Sequence, residues 1–192
     1  MKQDGNKGWS VEALVLAATA LLVLLANLPF WREALAGRSA ADFGTWRFIA
    51  GTSVLLVAAQ AAVVLLLATR ATVRPLLGLL IIASLVAQHL MQRYGVVLDP
   101  SMMRNALRTQ TREASELVSP WLLVNVGLGV LAFVALFRVP IRRAPALLPA
   151  LARRLGFVLG AAAIGVAALL LVFQDFSSTM RNQRELRYRI TP

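Results

Sequence analysis

Residues 48–68 read FIAGTSVLLVAAQAAVVLLLA, and this run decides the fold. It carries no acid, lysine or arginine, and Thr52, Ser53 and Gln60 are the only side chains in it with hydrogen-bonding groups. As an α-helix rising 1.5 Å per residue it is about 31 Å long, the thickness of a bilayer's hydrocarbon core. Four more apolar blocks occur, at 11–30, 76–91, 120–137 and 155–173, each free of charge in its middle. A charge at a helix centre costs about 2.5 to 3.5 kcal/mol on insertion scales, so five such blocks mark an all-α polytopic membrane protein of about five spans. The block at 76–91 is the short one, about 24 Å as a helix, with Arg74 placed to snorkel and Tyr94 to anchor its ends. The block at 11–30 is longer than a signal-peptide core and is followed by Pro29-Phe30-Trp31-Arg32-Glu33, so it reads as a retained helix.

Composition agrees. Of 192 residues, 58% are hydrophobic and 15% charged, with mean hydropathy +0.69, against about 45 to 50% apolar residues in soluble domains. The net charge of +11 would suggest nucleic acid in a soluble protein, but the cations flank apolar blocks, where they suit anionic lipid headgroups. Nucleic acid is therefore not expected as a partner. Cysteine is absent and histidine occurs once, which excludes disulfides and Cys/His metal clusters.

Five spans place the two termini on opposite sides. Cation counts on the two sides are nearly equal, so orientation rests on the second and fourth loops, which are short, basic and free of acid. Trp31, Trp46, Tyr94 and Trp121 fall at the opposite interface and read as a one-sided aromatic belt. The N-terminus is expected in the cytoplasm and the C-terminus in the periplasm. In the last span Gly156-x-x-x-Gly160, with Ala163 and Gly165, offers a small-residue face expected to pack inside the bundle.

The longest loop, 92–119, is the informative one. Asp99-Pro100 has the form of a helix start, an N-cap followed by proline. A helix over about 100–117 would gather Met103, Ala106, Leu107, Gln110, Ala114 and Leu117 on one arc and would lie in the periplasmic membrane surface. Asn105, Thr109 and Glu113 recur every fourth residue as a polar stripe, beside a second stripe of Arg104, Arg108 and Arg112. Such a surface suits a headgroup with a phosphate and an ammonium; a solvated face with balanced charges accounts for the spacing as well.

Tyr94-Gly95-Val96-Val97-Leu98-Asp99 with Met102-Met103, Asn105, Thr109 and Glu113 resembles the YG-x-x-x-D-x-x-M-x-x-N-x-x-x-T-x-x-x-E pattern after the third span of lipid A phosphoethanolamine transferases. Asn27-Leu28-Pro29-Phe30, Arg181-Asn182 and Glu185-Leu186-Arg187-Tyr188 are similar to that family as well, and the resemblance covers the whole chain. It implies transfer of phosphoethanolamine from phosphatidylethanolamine to a lipid A phosphate at the periplasmic face of the inner membrane. The family performs this with a C-terminal catalytic domain that uses a threonine nucleophile and zinc. Asn105, Thr109 and Glu113 match positions that help hold the phosphoethanolamine group, and are the substrate-binding residues the resemblance implies.

The chain departs from the family by stopping at Thr191-Pro192, so 1–174 is expected to be a transmembrane domain and 175–192 a periplasmic linker toward a catalytic domain that is separate or missing. No catalytic residue and no metal ligand are expected here; zinc is implied only for that other domain. The expected partners are phosphatidylethanolamine, lipid A, the membrane and the periplasmic catalytic domain. His89 is expected to form an interhelical hydrogen bond, and Asp175, Ser177, Ser178 and Thr179 to make a polar exit from the bilayer. A freestanding five-span binding or transport protein is the alternative, set against the position of the acids in loops or near span ends and of Pro29, Pro75 and Pro120 at boundaries.

Overall fold

The computed structural model describes residues 8–95, 119–142, 147–182 and 190, and every regular element among them is a helix. These are α1 (Val11–Leu25), α2 (Leu28–Ala34), α3 (Phe43–Leu67), α4 (Val73–Tyr94), α5 (Pro120–Arg138) and α6 (Leu147–Asn182). α3, α4, α5 and α6 are each long and apolar enough to cross a membrane, and α1 and α2, bent by 56° at the break between them, are so when counted together as one span. The all-α, five-span reading therefore holds, with the first span broken.

The break follows from Asn27-Leu28-Pro29. Proline has no N–H and disfavours helix in the residue before it, so α1 stops and α2 restarts with Pro29 in its first turn. The carbonyls this leaves at membrane depth are taken up one by one. Leu22 O accepts from Ala26 N at 2.9 Å and from Asn27 Nδ2 at 3.1 Å. Val23 O accepts from Trp31 Nε1 at 2.9 Å. Gln88, reaching across from α4, turns its amide nitrogen to Leu25 O at 3.2 Å and Ala26 O at 3.0 Å. A broken helix is tolerated in a bilayer where its freed backbone groups are satisfied by protein in this way.

The other ends obey local rules. Ser10, Asp42 and Ser119 cap α1, α3 and α5 through side-chain oxygens that accept from Ala13, Gly44 and Leu122 N–H groups. α4 ends on Gly95, whose φ of +63° is the left-handed conformation that favours glycine. With Val73, Arg74 and Pro75 added before the apolar block and Gln92, Arg93 and Tyr94 after it, α4 has 22 residues, about 33 Å. That removes the apparent shortfall of the third span. α6 has 36 residues, about 54 Å, and continues through Asp175 and Thr179 to Asn182.

α3 lies along α6 and α4 along α5, and α1 bridges the two pairs. One buried cluster joins Leu14, Val15, Val64, Leu65, Val73 and Leu77 near one face of the bundle; another joins Val23, Phe30, Trp31, Ala34 and Phe48 near the other. The close approaches rest on Gly78, where a Cβ would fall 1.7 Å from Phe133 Cδ2, on Gly51 against Val172 and on Gly129 against Ile82. Gly165 meets Ala58, but a Cβ on Gly156 or Gly160 would meet nothing within 4 Å. The expectation that the Gly156-x-x-x-Gly160 face packs inside the bundle is thus corrected: those glycines line an open groove on its outside.

The aromatic belt needs correction too. Trp31 is only 8% exposed and belongs to the core, its indole N–H occupied by the broken helix. Trp9 is 48% exposed at the opposite face, where its backbone pairs with Pro140 O and Arg142 N. Exposed tryptophan therefore occurs at both interfaces, and the belt gives no orientation. Both described ends are fixed nonetheless: Glu12 at the start of α1 meets Arg153 near the start of α6, and Arg47 near the start of α3 meets Asp175 near the other end of α6.

Candidate functional site

A groove of about 520 Å³ runs along the bundle between α1 and α5, with α4 between them. α1 contributes Leu14, Ala18, Leu21 and Leu25, α4 contributes Ile81 and Leu85, and α5 contributes Ala132, Ala135 and Leu136. From Trp9 to Ala26 the lining follows α1 for about 25 Å, nearly the full hydrocarbon depth. Its walls are aliphatic because Ile81 and Leu85 share one face of α4, and the alanines of α5 leave room opposite them. Gln88 continues that face by one more turn and is the polar residue at the far end of the groove.

Beside Gln88 lies a small polar cluster. His89 is 9% exposed, and its Nε2 lies 3.1 Å from Ser119 Oγ and its Nδ1 3.4 Å from Asn125 Nδ2. Since the Asn125 amide nitrogen can only donate, Nδ1 accepts, and the ring's Nε2–H donates to Ser119. Asn125 also donates to Trp121 O at 2.8 Å, and Ser119 Oγ accepts from Leu122 N at 3.2 Å. The interhelical hydrogen bond expected of His89 is therefore present, tying α4 to the first turn of α5. Chemically the groove can take a hydrocarbon chain along its length, with the Gln88 amide at one end.

Asn105, Thr109 and Glu113, the residues singled out from the sequence, lie outside the described residues, as do Asp99 and the whole of 96–118. Described residues bracket them: the chain leaves at Gly95, at the end of α4, and returns at Ser119, against His89. The polar residues toward the end of α6 are bonded to neighbouring elements or to the helix itself. Asp175 pairs with Arg47 at 3.1 Å, Thr179 Oγ1 donates to Asp175 O and accepts from Arg38 Nη2 at 3.0 Å, and Ser178 Oγ donates to Asp175 O.

The sequence model of the family described as phosphoethanolamine transferase EptA/EptB matches residues 55–192. The chain belongs to that family. Among curated EptA/EptB-related proteins, it is 36% identical over 123 residues to phosphatidylethanolamine transferase Mcr-2 of Escherichia coli, covering 64% of this chain and 21% of that protein. It is 29% identical over 187 residues to phosphatidylethanolamine transferase Mcr-1 of Escherichia coli, covering 95% of this chain and 34% of that protein. Its fold is that of the integral membrane lipooligosaccharide phosphoethanolamine transferase A (EptA) from Neisseria meningitidis, with a TM-score of 0.82 at 21% identity, over 94% of this chain and 34% of that one. The chain thus spans between a fifth and about a third of the length of these EptA/EptB relatives.

Zinc, which the family implies, does not fit the described residues. No three of His, Cys, Asp and Glu converge among them, and both nitrogens of His89 face Ser119 and Asn125.

Sequence reasoning missed the groove, the role of Gln88 and the Glu12–Arg153 pair. The spacing of Ile81, Leu85 and Gln88 at i, i+4 and i+7 was the signal available for one wall. Nothing local signals that α1 and α5 stand apart in front of it.

Proposed function

We propose that this chain is the membrane domain of a phosphoethanolamine transferase that modifies lipid A. It anchors the enzyme in the bacterial inner membrane, with its N-terminus in the cytoplasm, and helps present phosphatidylethanolamine to a periplasmic catalytic domain. The observation that carries the reading is the α1/α4/α5 groove: aliphatic through most of the depth of the bilayer, with Gln88 at the end nearer to Gly95 and Ser119. An acyl chain of the donor lipid fills the groove, which leaves its headgroup at the level of Gly95 and Ser119. Asn105, Thr109 and Glu113 then hold the headgroup, the carboxylate taking the ammonium and the amide and hydroxyl bonding the phosphate. Family membership supports the reaction class, and the names of the Mcr and EptA relatives support the donor and the type of acceptor.

The test supplies a relative's periplasmic catalytic domain together with this chain and measures modified lipid A by mass spectrometry. Glu113→Ala, which removes a charge-assisted contact, is expected to lower product about tenfold. Ala135→Trp, which fills the groove from α5, is expected to lower both product and binding of labelled phosphatidylethanolamine. Undiminished product with Glu113→Ala removes the site assignment; undiminished lipid binding with Ala135→Trp removes the groove assignment.

A further inference from the structure

A second groove, of about 480 Å³, lies on another side of the bundle where α1, α3 and α6 meet. Its lining includes Leu16, Leu65, Phe157, Gly156 and Gly160, with Arg153 at one end. We infer that this groove binds one anionic phospholipid, with its phosphate on Arg153 and one acyl chain over Gly156 and Gly160. Three independent observations carry the assignment.

The first is length. From Arg153 to Ile164 the lining follows α6 for about 16 Å, half of a hydrocarbon core near 30 Å, which is the depth of one leaflet. The second is charge. On this face of the described bundle stand Arg70, Arg74, Arg138, Arg142, Arg153 and Arg154, and Glu12 is the one acid. Glu12 is buried, at 3% exposure, so the potential presented outward is positive and attracts anionic headgroups. The third is the posture of Arg153. Its Nε is held 3.1 Å from Glu12 Oε1. That bond uses one of the five guanidinium donors, and among the described residues Arg153 has no other partner, so the terminal nitrogens are left for a phosphate. The same charge argues against a second copy of the chain as occupant, since a parallel pair crossing at these glycines would set Arg153 against Arg153.

The groove is tested with the purified Ala135→Trp chain, whose α1/α4/α5 groove is filled, in lipid-free detergent, titrated with phosphatidylglycerol or phosphatidylethanolamine and read by native mass spectrometry; the variants below are made in this parent. Phosphatidylglycerol is expected to bind about fivefold tighter, the worth of one basic contact near the surface, and the preference is expected to shrink at high salt. Gly160→Leu places its Cβ where nothing lies within 4 Å and fills the groove from there, and is expected to weaken phosphatidylglycerol binding by at least about fivefold without lowering the unfolding temperature in lipid-free detergent. Glu12→Gln/Arg153→Gln removes the headgroup contact without stranding a carboxylate, and is expected to erase the preference. Equal binding of the two lipids by the Ala135→Trp parent, or unchanged phosphatidylglycerol binding on adding Gly160→Leu, overturns the inference. Self-association of the chain that Gly160→Leu abolishes also overturns it, by assigning the groove to a second copy.

Discussion

Gly78 is the residue at which the packing has least freedom. A methyl group there would lie 1.7 Å from Phe133 Cδ2 and 2.8 Å from its Cγ, and the Phe133 ring already stands edge-on to Phe137 at 5.2 Å. Gly78→Ala must push α4 and α5 apart or break that ring pair, and is expected to cost about 1 to 3 kcal/mol in a detergent unfolding assay. Gly127→Ala, whose Cβ meets nothing within 4 Å, is expected to leave the same transition in place. Glu12 and Arg153 make the complementary case. Arg153→Leu alone strands a carboxylate that is nearly fully buried, whereas Glu12→Gln/Arg153→Leu strands only a neutral amide. The double variant is expected to unfold at a higher temperature than the single one; the reverse order would show that the pair does not act as a unit.

Among the elements, the first span carries the most specific chemistry. Its break is held by hydrogen bonds from three side chains, and one of them, Gln88, belongs to a different helix. Gln88→Leu keeps the bulk and removes the donor to Leu25 O and Ala26 O, which then face an apolar interior. The expected cost is about 1 to 3 kcal/mol, read as a lower midpoint in denaturant, and Gln88→Glu is expected to fare no better because a carboxylate cannot donate. Since Gln88 also stands at the polar end of the α1/α4/α5 groove, the bend and the proposed lipid mouth depend on the same side chain.

For the whole molecule, the spans alternate so that Glu12, Leu65, Arg74, Val139 and Arg153 share one face, while Asp42, Gly95, Ser119 and Asp175 belong to the other. The described spans keep acids, lysines and arginines away from mid-membrane, which leaves a transport path without charged stations. Orientation can be measured directly because the chain has no cysteine. In intact spheroplasts an impermeant maleimide is expected to label Phe43→Cys, which is 80% exposed, and to reach Arg70→Cys only after permeabilisation. The opposite pattern would invert the proposed topology and put 96–118 in the cytoplasm.

Some of this was written in the chain itself. Hydrocarbon thickness and the cost of buried charge act on each segment separately, so the apolar runs alone specified an all-helical five-span protein. Capping chemistry acts within a few residues, so the starts of α1, α3 and α5 at Ser10, Asp42 and Ser119 are local events. The motif around Asn105, Thr109 and Glu113 pointed to the family, although those residues fall outside the described structure. Which glycines touch a neighbour was decided only by assembly: Gly78 and Gly129 are closely covered, whereas Gly156 and Gly160, in a more conspicuous pattern, are open. The same holds for Trp31, Gln88 and the Glu12–Arg153 pair. Each depends on which surfaces of distant helices come into register, and a one-dimensional pattern of hydropathy carries no information about the neighbour on the other side.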